Sequence, residues 1–283
     1  MLPNLTEYHR PTTLSGALRL LAQRKVRTVP LAGGTALVPS RDPSVEAVVD
    51  LSGLNLAEMG WHARQGYIGA MTTLQTLVSD ATARRYANGL LVEAARVCVT
   101  RNILNVATIG GTIITGNAAC DLLVALLVLD ARVTVRVRRA RTLALENFLS
   151  APHEYLDRGI ITHVNFPYLK IPHGAALVRI ARTPRDAAIV NAAAFVVPDG
   201  NICKQVQLAL GGVAPRVIRV ASVESELEGR AWDEARIARV AEQLAASLAP
   251  PSDSRASSEY RREMAVLVAQ RALEQAWARA QEG

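Results

Sequence analysis

Apolar positions along the N-terminal part of the chain follow two spacings. Between residues 12 and 24 they recur every three or four positions behind two threonines, which predicts an amphipathic helix with a threonine cap. The β-favouring runs at 26–31 and 47–51 predict two buried strands. A glycine pair lies between them. The segment is therefore predicted to be a strand–loop–strand unit that holds a ligand at the end of its first strand.

The pattern changes at about residue 60 to that of a second lobe. A helical turn at about 101–106 is predicted to deliver the chain to a central loop, which an apolar helix follows. The predicted strands of this lobe are 66–70, 131–138 and 159–167, and its predicted helices begin near 73 and span 89–98 and 118–129.

A proline-bracketed segment at 167–174 separates a third pattern from the first two. Asp199-Gly200 between two alternating apolar runs is a hairpin signal, which predicts an antiparallel sheet. The predicted strands are 175–182, 187–197 and 202–210, and the predicted helices are 221–228, 232–247 and 257–279. The chain is thus predicted to be α+β (mixed α/β), with domains 1–170, in lobes of about 1–58 and 59–170, and 171–283.

The composition is that of a folded protein with room for two domains, since half of the 283 residues are hydrophobic. A net charge of +7 raises the alternative of nucleic-acid binding. However, the densest basic group, 132–141, alternates with valine like a strand with one polar face, and aromatic residues that could stack on bases are scarce. We therefore predict a solvated strand edge there and no nucleic-acid partner.

The sequence lacks the residue patterns of a catalytic or metal site of its own. Cys98, Cys120 and Cys203 are scattered and no histidines have metal-ligand spacing, so no metal site or disulfide framework is predicted. The serine elbow and the nucleotide phosphate loop are missing as well. No apolar stretch reaches the ~18 residues of a membrane span, so a cytoplasmic protein without a transmembrane segment is predicted.

Candidate chemistry centres on the stretch 101–133, where Gly110-Gly111 lies among threonines and Asp121 opens an apolar helix. Glycines let the main chain approach a ligand and turn its N–H groups inward, and a helix start adds partial positive charge. These residues favour an anionic cofactor, with a tight turn before a core helix as the alternative. A second pair, Gly33-Gly34, follows the predicted strand 26–31, so two loops could clamp opposite ends of one long ligand.

Two of these segments, Ala-Gly-Gly-Thr at 32–35 and Ala-Thr-Ile-Gly-Gly at 107–111 with Asp121 ten residues later, resemble the FAD-binding medium subunit of the molybdenum hydroxylases, the xanthine and carbon monoxide dehydrogenase family. The similarity covers nearly the whole chain. It implies a two-lobed FAD-binding domain of the molybdenum hydroxylase/vanillyl-alcohol-oxidase-like type, then a C-terminal domain with a three-stranded antiparallel sheet and three helices. Further similar segments are 67–73, 208–215 and 252–262.

The resemblance also implies roles for single residues. Both glycine loops hold the FAD diphosphate, mainly through main-chain donors, and Asp121 holds the ribitol or ribose. Ile160 or Ile161 packs near the isoalloxazine, and Arg179 stands where many members carry a lysine. The implied cofactor-binding residues are Ala32, Gly33, Gly34, Thr35, Ala36, Thr108, Ile109, Gly110, Gly111, Thr115, Asp121, Ile160, Ile161 and Arg179. Relatives often have polar side chains where Ala36 stands and asparagine where Thr112 stands, so FAD could be held more loosely.

The function implied by the resemblance is that of an FAD-binding electron-transfer subunit. Its expected partners are a large molybdopterin subunit and a small iron–sulfur subunit, in a dimer of heterotrimers, with molybdopterin and the iron–sulfur clusters held by those partners. One alternative is a structural subunit that has lost FAD. Another is a free-standing oxidoreductase with a dinucleotide fold, although the sequence has no Gly-x-Gly-x-x-Gly after a strand.

Overall fold

The computed structural model of the chain describes residues 2–168, 170–184 and 186–282. The chain forms two compact units, and each is built from several segments. The first unit comprises Met1–Thr76, Arg101–Thr115 and Ala131–Pro167, and the second comprises Leu77–Thr100, Gly116–Asp130 and Tyr168–Gly283. The division of the sequence at residue 170 stays a prediction, and Met1, Leu169, Arg185 and Gly283 within its ranges lie outside the described residues.

Helices and strands alternate along the chain. Within the described residues, the strands are β1 Glu7–His9, β2 Thr28–Leu31, β3 Ala47–Asp50, β4 Met59–Trp61, β5 Gln65–Gly69, β6 Arg132–Arg136, β7 Ala140–Ala144, β8 Ile160–Pro167, β9 Gly174–Ile180, β10 Val190–Asp199, β11 Ile202–Gly211, β12 Ile218–Arg219 and β13 Arg230–Ala231. The α-helices are α1 Leu14–Leu21, α2 Leu37–Ser40, α3 Leu74–Ser79, α4 Leu90–Cys98, α5 Arg101–Leu104, α6 Ile109–Thr115, α7 Asp121–Val128, α8 Leu145–Ser150, α9 Pro152–Leu156, α10 Ala221–Leu227, α11 Glu234–Ser247 and α12 Ser258–Glu282. Short 3-10 helices span Leu51–Gly53 and Tyr86–Gly89.

The first unit contains a parallel sheet in the order β1-β3-β2 and an antiparallel sheet in the order β4-β5-β8-β6-β7. In the parallel sheet, β2 and β3 pair in register up to Leu31 and Asp50, so they end side by side. Helix α1 begins behind Thr13, whose hydroxyl accepts a hydrogen bond from the Gly16 N–H group, and buries Leu21. The glycine loop at 32–36 therefore begins at the end of β2, a strand that is held in place by its pairing with β3.

The second unit is built on an antiparallel sheet in the order β12-β11-β10-β9, with β13 paired to β11. Within the described residues this sheet has five strands where three were predicted, because β12 and β13 are two-residue strands that carry too little alternation to be recognised in the sequence. The predicted hairpin between β10 and β11 is confirmed, and Gly200 adopts the positive φ of +59° that such a turn needs. Successive side chains of β10 point to opposite faces of the sheet. Ala192 packs in the apolar cluster with Ala272 of α12, while Asn191 on the other face hydrogen-bonds to Asp121 of α7.

The predicted fold class is confirmed, but the conformation predicted for the central glycine motif is wrong. Gly110 and Gly111 lie in the first turn of helix α6, where a loop was expected. Glycine has low helix propensity, so sequence pattern alone disfavours a helix at this point, and tertiary packing overrides that propensity. The arginine-rich segment does form β6 and its hairpin partner β7, and Arg132, Arg136 and Arg141 are exposed as predicted.

Arg261 hydrogen-bonds to three separate segments of the second unit. Its side chain is buried, with a residue exposure of 1%. Its Nη1 group donates to the carbonyl oxygens of Ile189 at 2.6 Å and Gly212 at 3.2 Å, and Nη2 donates to Asp253 Oδ1 at 2.7 Å. The backbone N–H group of Arg255, together with the Arg261 guanidinium, holds the pKa of the Asp253 carboxyl well below its usual range. The Asp253 carboxyl is therefore ionised at neutral pH.

Candidate cofactor site

The first glycine motif of the first unit lies between the end of β2 and the start of α2. A Cβ atom added to Gly33 would overlap the carbonyl oxygen of Val106 and lie 3.3 Å from the Ala107 nitrogen. Only glycine permits this approach, because any side chain would displace backbone. The motif at 32–36 is thus packed directly against the segment that leads into the motif at 107–111, and the clamping of one long ligand by the two motifs stays a prediction.

The backbone donors of the first motif face away from helix α2. The Gly34 and Ala36 carbonyl oxygens accept hydrogen bonds from Val38 and Ser40, so the N–H groups at the start of this turn point off its N-terminal end. Within the described part of the chain, the N–H groups of residues 33–36 donate to no protein acceptor. The loop is also partly exposed to solvent. Such a set of accessible, unused donors suits a phosphate group.

The second motif uses its backbone donors differently. Thr108 Oγ1 accepts the Gly111 N–H group at 3.1 Å and so caps α6, while the Ile109 N–H group donates to Thr72 at 3.0 Å. The Gly110 N–H group donates to the Ala70 carbonyl oxygen at 2.8 Å. All three N–H groups are therefore engaged inside the protein. The diphosphate contacts predicted for Thr108, Ile109, Gly110 and Gly111 stay a prediction, and these N–H groups are not free to make them.

The two glycines of this motif have different neighbours. A Cβ atom on Gly110 would lie 2.9 Å from the Ala70 Cβ atom and 3.0 Å from its carbonyl oxygen, so this glycine is needed for helix α6 to pack. A Cβ atom on Gly111 would meet, among the described atoms, Thr108 Oγ1 alone, at 3.0 Å. Gly111 therefore presents bare backbone on an accessible side of the helix start.

Three further residues with predicted roles belong to the first unit. Thr115 is exposed, and its hydroxyl donates to the Gly111 carbonyl oxygen at 2.8 Å. Ile160 and Ile161 are buried, with exposures of 2% and 4%, and Ile160 packs in the apolar cluster with Leu21. Packing within the unit thus accounts for Ile160. The contacts predicted for these three residues with a cofactor stay predictions.

In the second unit, Asp121 is the first residue of α7 and is 1% exposed. Its Oδ1 atom accepts a hydrogen bond from Asn191 Nδ2 at 2.6 Å, and its Oδ2 atom lies 3.4 Å from Arg179 Nε. Burial raises the pKa of the Asp121 carboxyl, and Arg179 and Asn191 oppose that rise. Both carboxylate oxygens have protein partners, so the predicted contact with a cofactor sugar stays a prediction.

Arg179 is likewise engaged within its own unit. Its Nη2 group donates to the Asp186 carbonyl oxygen at 2.6 Å, and its Nη1 group donates to the Pro184 carbonyl oxygen at 3.2 Å. These bonds, with the ion pair to Asp121, fix the guanidinium against strand β9 and the following loop. The predicted contact of Arg179 with a flavin ring stays a prediction.

Sequence reasoning missed Asn191, which orients Asp121. Asn191 is fully buried, and its Nδ2 group also donates to the Ala119 carbonyl oxygen at 3.1 Å. The glycine pair at 211–212 makes room for the Asn191 side chain. A Cβ atom on Gly211 would overlap Asn191 Oδ1, and the Gly212 N–H group donates to Ala118 at 2.7 Å. The signal available in the sequence was a lone asparagine inside the apolar run that became β10.

The described residues contain no group of three or more histidine, cysteine, aspartate or glutamate side chains that could hold a metal ion. Across the same residues, no helix has the length and apolar character needed to cross a membrane.

Comparison with known proteins identifies the class. The family described as FAD binding domain in molybdopterin dehydrogenase matches residues 4–169, and the CO dehydrogenase flavoprotein C-terminal domain matches residues 175–276. The chain therefore belongs to the FAD-binding subunits of the molybdenum hydroxylases, which are oxidoreductase subunits, as the resemblance predicted.

Individual relatives are similar over almost their full length. The chain is 28% identical to the carbon monoxide dehydrogenase medium chain of Hydrogenophaga pseudoflava, over 99% of both chains. It is also 28% identical to the xanthine dehydrogenase FAD-binding subunit of Escherichia coli O157:H7, over 91% of both. Its fold matches a chain in the solved carbon monoxide dehydrogenase from Hydrogenophaga pseudoflava with a TM-score of 0.91, at 26% identity and with 99% of each chain covered.

Proposed function

We propose that the chain is the electron-transfer flavoprotein of a multi-subunit molybdenum hydroxylase. The observation that carries this proposal is the row of unused N–H groups at 33–36, held against the second glycine motif by the close approach of Gly33 to Val106. Accessible backbone donors that no protein acceptor uses suit the diphosphate of FAD. Gly111, with bare backbone at the start of α6, would give the cofactor room to approach.

The proposed division of labour within the chain follows from these contacts. Gly33, Gly34, Thr35 and Ala36 would hold the diphosphate through backbone N–H groups, and Ala32 would lead the chain into that turn. Asp121 would serve the cofactor's sugar in the orientation that Asn191 and Arg179 impose on it. Bound FAD would supply the redox chemistry, accepting electrons from iron–sulfur clusters of a partner subunit and releasing them to an external acceptor.

The proposed partners are a large molybdopterin subunit and a small iron–sulfur subunit, assembled as a dimer of heterotrimers. The support comes from the names of similar proteins, which are called medium chains or subunits of carbon monoxide, glyceraldehyde and xanthine dehydrogenases. One similar solved enzyme is named for a missing Mo-pyranopterin moiety. Substrate oxidation would then belong to another chain of the complex.

A second candidate function is that of a structural subunit that binds FAD weakly or has lost it. Three observations favour it. Ala36 offers no polar side chain to the first loop. The Thr112 hydroxyl donates to the Thr108 carbonyl oxygen at 2.9 Å, within its own helix. The backbone N–H groups of residues 109–111 are used inside the protein. Each hydrogen bond missing from a cofactor costs about 1 kcal/mol of binding.

Flavin binding and flavin reduction, measured on the isolated chain, distinguish the two candidate functions. We expect it to bind FAD and to show no substrate-dependent bleaching of the flavin with carbon monoxide, xanthine or glyceraldehyde, the substrates named for similar dehydrogenases. Dithionite, which reduces free flavin chemically, provides the positive control for bleaching. Bleaching by a substrate in the absence of any partner chain would contradict the proposed division of labour. Failure to take up added FAD would favour the structural subunit.

A further inference from the structure

Two cysteines that are distant in the sequence meet in the second unit. The Sγ atoms of Cys98 and Cys120 lie 3.3 Å apart. Cys98 is the last residue of α4, and Cys120 immediately precedes α7, which packs against α4. A disulfide bond is about 2.05 Å long, so the two sulfur atoms need to approach by roughly 1.3 Å. Rotation about χ1 changes the distance between the sulfur atoms, and both residues lie at helix ends, where the backbone adjusts more readily than in a helix interior.

We propose that Cys98 and Cys120 are a redox-active dithiol that a peroxide converts reversibly into a disulfide. The proposal rests on the position of the two thiols and does not depend on FAD binding.

The two thiols have unequal surroundings, which assigns their roles. Cys98 is half-buried and so can meet a small oxidant, whereas Cys120 is buried. The Cys120 thiol donates a hydrogen bond that lowers the pKa of Cys98, and the Leu122 N–H group at the start of α7 lowers it further. The same interaction and burial raise the pKa of Cys120. Cys98 is therefore the sulfur that attacks the peroxide, and Cys120 is the sulfur that then attacks oxidised Cys98 to form the disulfide.

The reaction balances with hydrogen peroxide as the oxidant. The Cys98 thiolate attacks one peroxide oxygen, the O–O bond breaks, and a sulfenic acid forms with release of water after protonation. The Cys120 sulfur then attacks the Cys98 sulfur, the S–O bond breaks, and a second water leaves as the disulfide forms. Two thiols are oxidised and one peroxide is reduced to two waters. A phosphine or dithiol reductant reverses the change.

Cys203 provides an internal control. It is 1% exposed, and its Sγ atom lies 3.8 Å from the Gln205 carbonyl oxygen to which it donates. Burial raises its pKa to about 12. Peroxide should therefore consume the Cys98 thiol on the order of tenfold faster than the Cys203 thiol.

Peptide mapping of the full-length chain tests the proposal. Trypsin places the cysteines on separate peptides, which are 97–101, 102–132 and 186–204. After full reduction, one equivalent of hydrogen peroxide should join the first two peptides, and subsequent reduction should release them. Free, alkylatable thiols at both Cys98 and Cys120 after this treatment would overturn the proposal, and so would a link from Cys98 to Cys203 or to a second chain.

Two variants sharpen the result. Cys203→Ala should leave the 97–101 to 102–132 link intact. Cys120→Ala should abolish it, leaving Cys98 as the sulfenic acid after one equivalent of peroxide and as the sulfinic acid after a second equivalent, since no resolving thiol remains. Persistence of a disulfide at Cys98 in Cys120→Ala would contradict the assignment. If that variant does not fold, mapping of the unmodified chain decides the matter.

Discussion

Replacing Gly111 with arginine is expected to remove FAD from the protein and to leave the fold intact. The Cβ atom of the new side chain would meet, among the described atoms, Thr108 Oγ1 alone, at 3.0 Å, so this hydroxyl would need to shift by a few tenths of an ångström and no backbone would be displaced. Arginine also favours a helix more than glycine does. The space that the side chain fills is the one we propose for the cofactor. A steric conflict worth about 3 kcal/mol corresponds to roughly 100-fold weaker binding.

Gly16→Arg is a matched control for Gly111→Arg. Gly16 lies in the first turn of α1, its N–H group donates to the capping Thr13 hydroxyl at 3.2 Å, and an added Cβ atom would lie 3.0 Å from that oxygen. The two substitutions therefore disturb the same local geometry, but only one lies at the second glycine motif. Thermal midpoints should shift by no more than about 4 °C in either variant. Equal FAD affinities, measured by fluorescence titration, would contradict the assignment of Gly111.

Replacing Arg261 with methionine should destabilise the second unit by about 3 kcal/mol, because the buried carbonyl oxygens of Ile189 and Gly212 would lose their donor and Asp253 its partner. Methionine keeps much of the length and apolar volume of the arginine stem, so the change removes hydrogen bonds more than packing. Urea unfolding measures the free energy difference. Because Gly211, the neighbour of Gly212, packs against Asn191, the hydrogen bond from Asn191 to Asp121 should weaken as well.

Arg271→Met on the same helix is the control for Arg261→Met. Arg271 is exposed on α12, and exposed substitutions usually change the free energy of unfolding by less than about 0.5 kcal/mol. Similar urea midpoints for the two variants would show that the hydrogen bonds of the buried guanidinium add nothing to the free energy of unfolding. That result would contradict the stabilising role assigned to Arg261.

The elements with strong periodic patterns could be predicted from the sequence. The α12 helix, the β10–β11 hairpin and the strand before the first glycine pair are where spacing alone puts them, with ends shifted by a few residues. Short strands such as β4 were not predicted, because three residues carry too little alternation to be seen. The first turn of α6 was missed because its glycines indicate a loop.

Contacts between distant segments could not be predicted in the same way. The approach of Gly33 to Val106 and the bond from Asn191 to Asp121 depend on the tertiary fold and leave no periodic trace in the sequence. The burial of Arg261, in contrast, is indicated by the sequence, because Arg261 stands four residues before Ala265 and seven before Val268 on the buried face of α12. A charge on an apolar face calls for buried partners, and the carbonyl oxygens and Asp253 supply them.

Identification of the bound cofactor tests the central claim most directly. The purified chain, saturated with a flavin mixture of FAD and FMN and then desalted, should release FAD on heating, in a ratio of about one per chain, since two glycine motifs suit an extended dinucleotide. Chromatography distinguishes the two flavins, and the absorbance of the unfolded protein gives the chain concentration. Release of FMN alone, or of no flavin from a chain that is folded by circular dichroism, would contradict the account.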